Sequence, residues 1–120
     1  MVNLNTLSNQ CYNIAELREK NGANISTQTN QTLKHCATEV IEAMEAYNIW
    51  QEELKYSGIG IGVTDPGFQI DYKKEFEYEL ADIICCVLSV CGKYNIDIET
   101  VLQEKINKND LRAEMKGDKL

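Results

Sequence analysis

Proline, tryptophan and histidine each occur once in this 120-residue chain, and phenylalanine twice. With a single proline the strongest helix breaker is almost missing, so long helices are permitted. With His35 as the sole imidazole, the Glu-x-x-His pairs of carboxylate-bridged di-iron bundles cannot be assembled. Cations are also in deficit: 12 Lys and Arg against 19 Asp and Glu leave a net charge of −7. Such a surface binds nucleic acid polymers and anionic membranes poorly. The five cysteines, Cys11, Cys36, Cys85, Cys86 and Cys91, include no C-x-x-C pair. That spacing weakens zinc and dithiol-redox readings, and the odd count points to a reducing, cytoplasmic compartment. The start, MVNLNTLSNQ, lacks the basic residues and apolar run of a signal peptide. The longest apolar run, around 80–91, is too short to span a bilayer and contains Asp82.

What remains is an ordinary globular mixture, 43% hydrophobic and 26% charged, in a chain of one-domain length (1–120). Four helical segments are expected, at about 4–20, 30–55, 73–94 and 98–113, from apolar residues at i, i+3, i+4 and i+7. Asn21-Gly22 stops the first and Asp97 caps the fourth. The fold class is therefore all-α, an antiparallel helical bundle. Residues 56–72 form an insert of different character, where Gly58, Gly60 and Gly62 alternate with apolar residues before Thr64-Asp65-Pro66-Gly67. A small β-hairpin, 59–63 against 68–72, fits this pattern. The glycine run is not a dinucleotide fingerprint, since no βαβ unit surrounds it. The tail, about 113–120, is expected to fray.

Two acidic pairs carry the chemistry. Glu39 and Glu42 lie at i and i+3 on the second helix, and Glu79 and Asp82 do so on the third. Each pair projects from one side of its helix. Such a pair alone ordinarily marks a solvated face. The third helix changes that reading, because 78–91 (YELADIICCVLSVC) has only these two carboxylates among apolar residues and thiols. A helix apolar on nearly every side is expected to be surrounded by protein. Buried carboxylates need a proton, a counter-charge or a metal, and few basic residues lie near. Oxygen-only ligands suit a hard cation, Mg²⁺ or Mn²⁺. On the fourth helix Lys105, Lys108, Asn109 and Arg112 share one face, which reads as a phosphate clamp or as a solvated basic face.

Taken in order, these elements resemble the all-α nucleoside triphosphate pyrophosphohydrolases, the MazG-like superfamily. The matching text is ATEVIEAMEA, YELADIICCVL and YNIDIETVLQEKINKNDLR, within about 33–112. The stretch between Glu42 and Glu79 departs from the family: it holds the glycine-rich insert and is longer than usual. The resemblance implies Mg²⁺-dependent hydrolysis of a (d)NTP to (d)NMP and pyrophosphate in nucleotide-pool house-cleaning. Glu39, Glu42, Glu79 and Asp82 would be the catalytic metal ligands, one of them the general base. Lys105, Lys108, Asn109 and Arg112 would bind phosphates. His35, one turn before Glu39, and the aromatics Trp50, Tyr12 and Tyr47 are candidates for contacting the base. A homodimer or homotetramer with the site near a subunit interface is implied as well. The alternatives are phosphoribosyl-ATP pyrophosphohydrolysis and an inactive helical interaction module.

Overall fold

The computed structural model describes residues 2–57, 61–65 and 68–115. The chain is all-helical apart from one hairpin: α1 (Leu4–Lys20), α2 (Thr29–Ser57), β1 (Ile61–Asp65), β2 (Phe68–Asp71), α3 (Tyr72–Lys93) and α4 (Ile98–Glu114). Each boundary has a local cause. The Asn3 side chain accepts from the N–H groups of Asn5 (2.9 Å) and Thr6 (3.2 Å), which starts α1. Gly22, with φ +88°, turns the chain after it. Asn95, with φ 53°, ends α3 in the left-handed region that asparagine tolerates. Asp97 caps α4 as expected, accepting from the Thr100 N–H at 3.3 Å.

The hairpin is antiparallel, with Gly62 opposite Ile70 and Val63 opposite Gln69. The expected strand positions 59 and 60, the turn residues 66 and 67 and the tail 116–120 lie outside the described residues. The second strand stops earlier than expected. Asp71 accepts from the Lys74 N–H at 3.0 Å, so Tyr72 opens α3 instead of closing β2.

α3 is the organising element, because α1 and α2 pack along its two flanks. Both run antiparallel to it. The α2–α3 seam extends from a 2.6 Å hydrogen bond between the Thr29 and Tyr94 hydroxyls to contact between the Tyr47 and Phe76 rings. At the α1–α3 seam, Ser8 (1% exposed) packs against Gly92. The α1–α2 loop is tied down too: Glu19 accepts from the Thr27 N–H at 2.8 Å, and Lys93 Nζ donates to the Thr27 carbonyl at 2.8 Å.

α4 meets the rest of the chain mainly at the start of α1. There the two helix N-termini cap each other. Asn5 Nδ2 donates to Asp97 Oδ1 (2.9 Å), and Asn5 Oδ1 accepts from the Ile98 N–H (3.0 Å). Glu99 Oε1 in turn accepts from the Leu4 N–H (2.7 Å). These bonds satisfy donors that a helix start leaves orphaned.

Among the described residues α1, α2 and α3 form one layer of antiparallel helices. The expectation that α3 is surrounded on all sides is corrected. Leu80, Ile84 and Val87 are 42%, 56% and 42% exposed, and Asp82 is exposed. Helix-period patterning cannot say how many sides a single copy covers. Among the described residues the buried hydrophobic side chains are only Ala43, Leu88 and Cys91.

The layer has two unlike faces. Successive helical residues turn by about 100°. Measured from the residues facing the α2–α3 seam, Leu80, Ile84 and Val87 on α3 lie about a quarter-turn to one side. Val40 and Met44 on α2 lie about a quarter-turn to the same side. Glu42, His35 and Asp82 lie about a quarter-turn the other way. One open face is therefore apolar, and the other carries the carboxylates.

Candidate metal centre

Antiparallel packing of α2 on α3 brings the two acidic motifs together. Glu39 is buried (8% exposed), Glu79 half-buried and Glu42 exposed. One carboxylate oxygen from each lies within 4.8 Å of the others. Asp82 stands at the rim, outside this trio but close enough for its charge to act on Glu39 and Glu79.

The electrostatics are those of crowded like charges. Burial raises the Glu39 carboxyl above the usual carboxylate range; the charge and contact of Glu42 and the charge of Asp82 add to this, while His35 opposes it. Burial likewise raises Glu79, reinforced by Glu42 and Asp82, and a hydrogen bond from Glu39 works against the rise.

Among the described residues the ion-pair partner of the cluster is His35, whose Nε2 lies 3.0 Å from Glu39 Oε1, and it counters the cluster only when protonated. Glu39 Oε2 and Glu79 Oε2 are enclosed and have no hydrogen-bond donor. Enclosed acceptors without donors are rare, and a cation is one group that satisfies them. The donor set is all oxygen, which fits a hard divalent ion such as Mg²⁺ or Mn²⁺.

Trp50 belongs to an aromatic cluster further along the same seam. Its ring stacks on Phe76 (centroids 5.8 Å, 26° between planes) and meets Tyr47 edge-on (6.1 Å, 82°). Phe76 went unnoticed in the sequence, though it precedes Glu79 by one helical turn. Tyr12 is placed elsewhere: it packs beside Gly92 on the opposite flank of α3, away from the carboxylates.

The basic face of α4 is not joined to the acidic cluster by any ion pair among the described residues. Lys105 and Lys108 are exposed, while Asn109 and Arg112 are half-buried. The Asn109 side-chain oxygen is enclosed and lacks a donor. Comparison of the chain with protein families, curated proteins and solved structures finds no match.

Proposed function

We propose that this protein is a metal-dependent nucleoside triphosphate pyrophosphohydrolase, with a MazG-like arrangement of helices. One observation carries the reading: two enclosed glutamate oxygens without donors sit beside a third carboxylate in an all-oxygen cluster. The ordered acidic and basic motifs of the sequence support it. Glu39, Glu42 and Glu79 would hold Mg²⁺ or Mn²⁺. When bound, such an ion would supply charge neutralisation for phosphate oxygens and a more acidic water. Glu42 or Asp82, the two exposed carboxylates, accepts the proton of the attacking water. The Trp50–Phe76 aromatic pair marks the end of the seam where a base docks, His35 lying about 22 Å away along α2 beside Glu39, and Lys105, Lys108, Asn109 and Arg112 take the phosphates once α4 approaches in the assembled protein.

The deciding experiment is pyrophosphate release from a panel of nucleoside triphosphates, with and without Mg²⁺. Metal-dependent release is expected. Asp82→Asn should lower it about a hundredfold with the fold intact, the scale of losing a group just outside the ligand set. If no nucleotide is cleaved and Mg²⁺ does not bind, the helical interaction module becomes the better account.

The reading includes a homo-oligomer, and the surface of one chain favours it. A compact monomer of 13.6 kDa exposes roughly 6,600 Å², whereas this chain exposes 9070 Å². The excess of roughly 2,500 Å² per chain, about 5,000 Å² for a pair, lies at the upper end of what obligate homodimer interfaces bury. The radius of gyration, 18.1 Å, likewise exceeds the roughly 14 Å of a compact chain of this length. A second copy covering the apolar face, at Leu80, Ile84, Val87, Val40 and Met44, leaves the carboxylate face open to substrate. Light scattering at micromolar concentration should return the mass of two or four chains; a monomeric mass would overturn this.

A further inference from the structure

α4 hangs from the rest of the chain at one end. Among the described residues none of its side chains is buried, and Val101, Leu102 and Ile106 are exposed. The short link from α3 fixes where it starts: the Ile96 N–H donates to the Cys91 carbonyl at 2.9 Å. Among the described residues, the hydrogen bonds that join α4 and its cap to another helix all end on Leu4 and Asn5 of α1.

Asn5 makes most of this joint with one carboxamide. Its Nδ2 donates to Asp97 Oδ1 at 2.9 Å, and its Oδ1 accepts from the N–H groups of Ile98 (3.0 Å) and Glu99 (3.5 Å). An amide supplies donor and acceptor together, whereas a carboxylate in the same space supplies acceptors only. Asp97 also accepts from the Thr100 hydroxyl at 2.7 Å. The bonds from Asn5 and Thr100 hold its carboxyl below the usual range, so it stays an acceptor.

A joint at one end of a helix acts on a lever. Arg112 lies about 21 Å along α4 from Ile98, so a tilt of about 20° at the joint carries it about 7 Å. Hydrogen bonds weaken steeply with misalignment, so three of them on one carboxamide hold the tilt narrowly. We propose that Asn5 is the positioning residue of α4: it sets the angle of a hinged arm and thereby places Lys105, Lys108 and Arg112 for phosphate. The phosphate role rests on the pyrophosphohydrolase reading; the hinge does not. Asn5 stands on α1, outside the acidic cluster, and acts through α4. Without its bonds α4 opens as a unit while α2 and α3 stay paired, a local opening with its own equilibrium.

The test uses the full chain and Asn5→Asp, which keeps the side chain's size and acceptor but turns its donor into a carboxylate oxygen facing Asp97. Hydrogen exchange should become roughly tenfold faster at the α4 amides and stay unchanged within α2 and α3. Adding Asp97→Asn should recover most of this, because its amide can donate to the new carboxylate and asparagine caps helices as well as aspartate. In pyrophosphate release, Asn5→Asp should raise KM roughly tenfold with kcat within about twofold, and the double variant should bring KM back. Equal exchange in α4 with and without the substitution would overturn the hinge. So would acceleration spread evenly over all four helices, the mark of general destabilisation. A kcat that falls while KM holds would overturn the positioning role. If the unaltered chain cleaves no nucleotide, the phosphate role falls with the reading it rests on, and the exchange pattern still decides the hinge.

Discussion

Glu39→Gln is expected to lower Mg²⁺-dependent pyrophosphate release at least about a thousandfold, while raising the melting temperature of the metal-free protein. The two effects share one cause. Glu39 is the most buried member of the acidic trio, and its enclosed oxygen has no donor. Its amide analogue keeps an oxygen toward His35 and turns an N–H₂ donor toward Glu42 or Glu79. Repulsion falls and an acceptor is satisfied, a gain of about 1 kcal/mol or roughly 4 °C. The metal meanwhile loses an anionic ligand.

The sign with pH follows from the raised carboxyls of Glu39 and Glu79. A carboxyl raised in the folded state binds its proton more tightly there than in the unfolded chain. Metal-free stability is therefore greatest at acid pH as far as these groups are concerned. It declines as pH rises from the ordinary carboxylate range through their raised values. Glu39→Gln should flatten that decline, and Mg²⁺ should reverse it by taking the proton's place. Thermal melts at several pH values, with and without Mg²⁺, read all of this. A melting temperature lowered by Glu39→Gln at neutral pH would mean the carboxylate stabilises the fold and is no metal ligand in waiting.

Gly92→Ala should destabilise the protein by about 2 kcal/mol, roughly 5–10 °C in melting temperature. Alanine is the better helix former by about 1 kcal/mol, so propensity alone gives the opposite sign. Sterics decide it. The new methyl would meet the Ser8 carbonyl oxygen at 2.2 Å, its carbon at 2.8 Å and Tyr12 Cβ at 3.0 Å. These are largely backbone atoms of a helix and cannot rotate aside. α1 has to shift bodily, and its first turn is bonded to α4 through Asn5 and Leu4. A melting temperature equal to or above that of the unaltered protein would show that the seam relaxes freely.

Much of the architecture was legible before the structure. All four helices follow from apolar spacing, and Asp97 was readable as a cap because a short acidic side chain precedes a periodic run. The two acidic pairs were readable because i, i+3 spacing survives any helix packing; that Glu39, Glu42 and Glu79 group while Asp82, expected with them, stands at the rim was not. Other features were not. Asp71 reads equally well as a strand end, since aromatic Tyr72 favours strands. Gly92, one residue from the end of α3, looks like an ordinary stop signal; its role arises from a helix more than 70 positions away. Residues 78–91 read as wholly enclosed because an apolar pattern does not say how many sides a single copy covers. The placement of the basic face of α4 depends on a tertiary contact that no local pattern encodes.

The central place of α3 also has a consequence during synthesis. α1 is complete at Lys20, but its packing partner ends only at Lys93, and the α4 groups that cap it come later still. At about 5–20 residues per second, α1 waits several seconds on the ribosome without the surface it packs against. Isolated helices of this length are marginal in water. α2 and α3, neighbours along the chain, therefore form the first stable pair, and the N-terminal helix docks afterwards. Of these helices, the one made earliest is among the last to be secured.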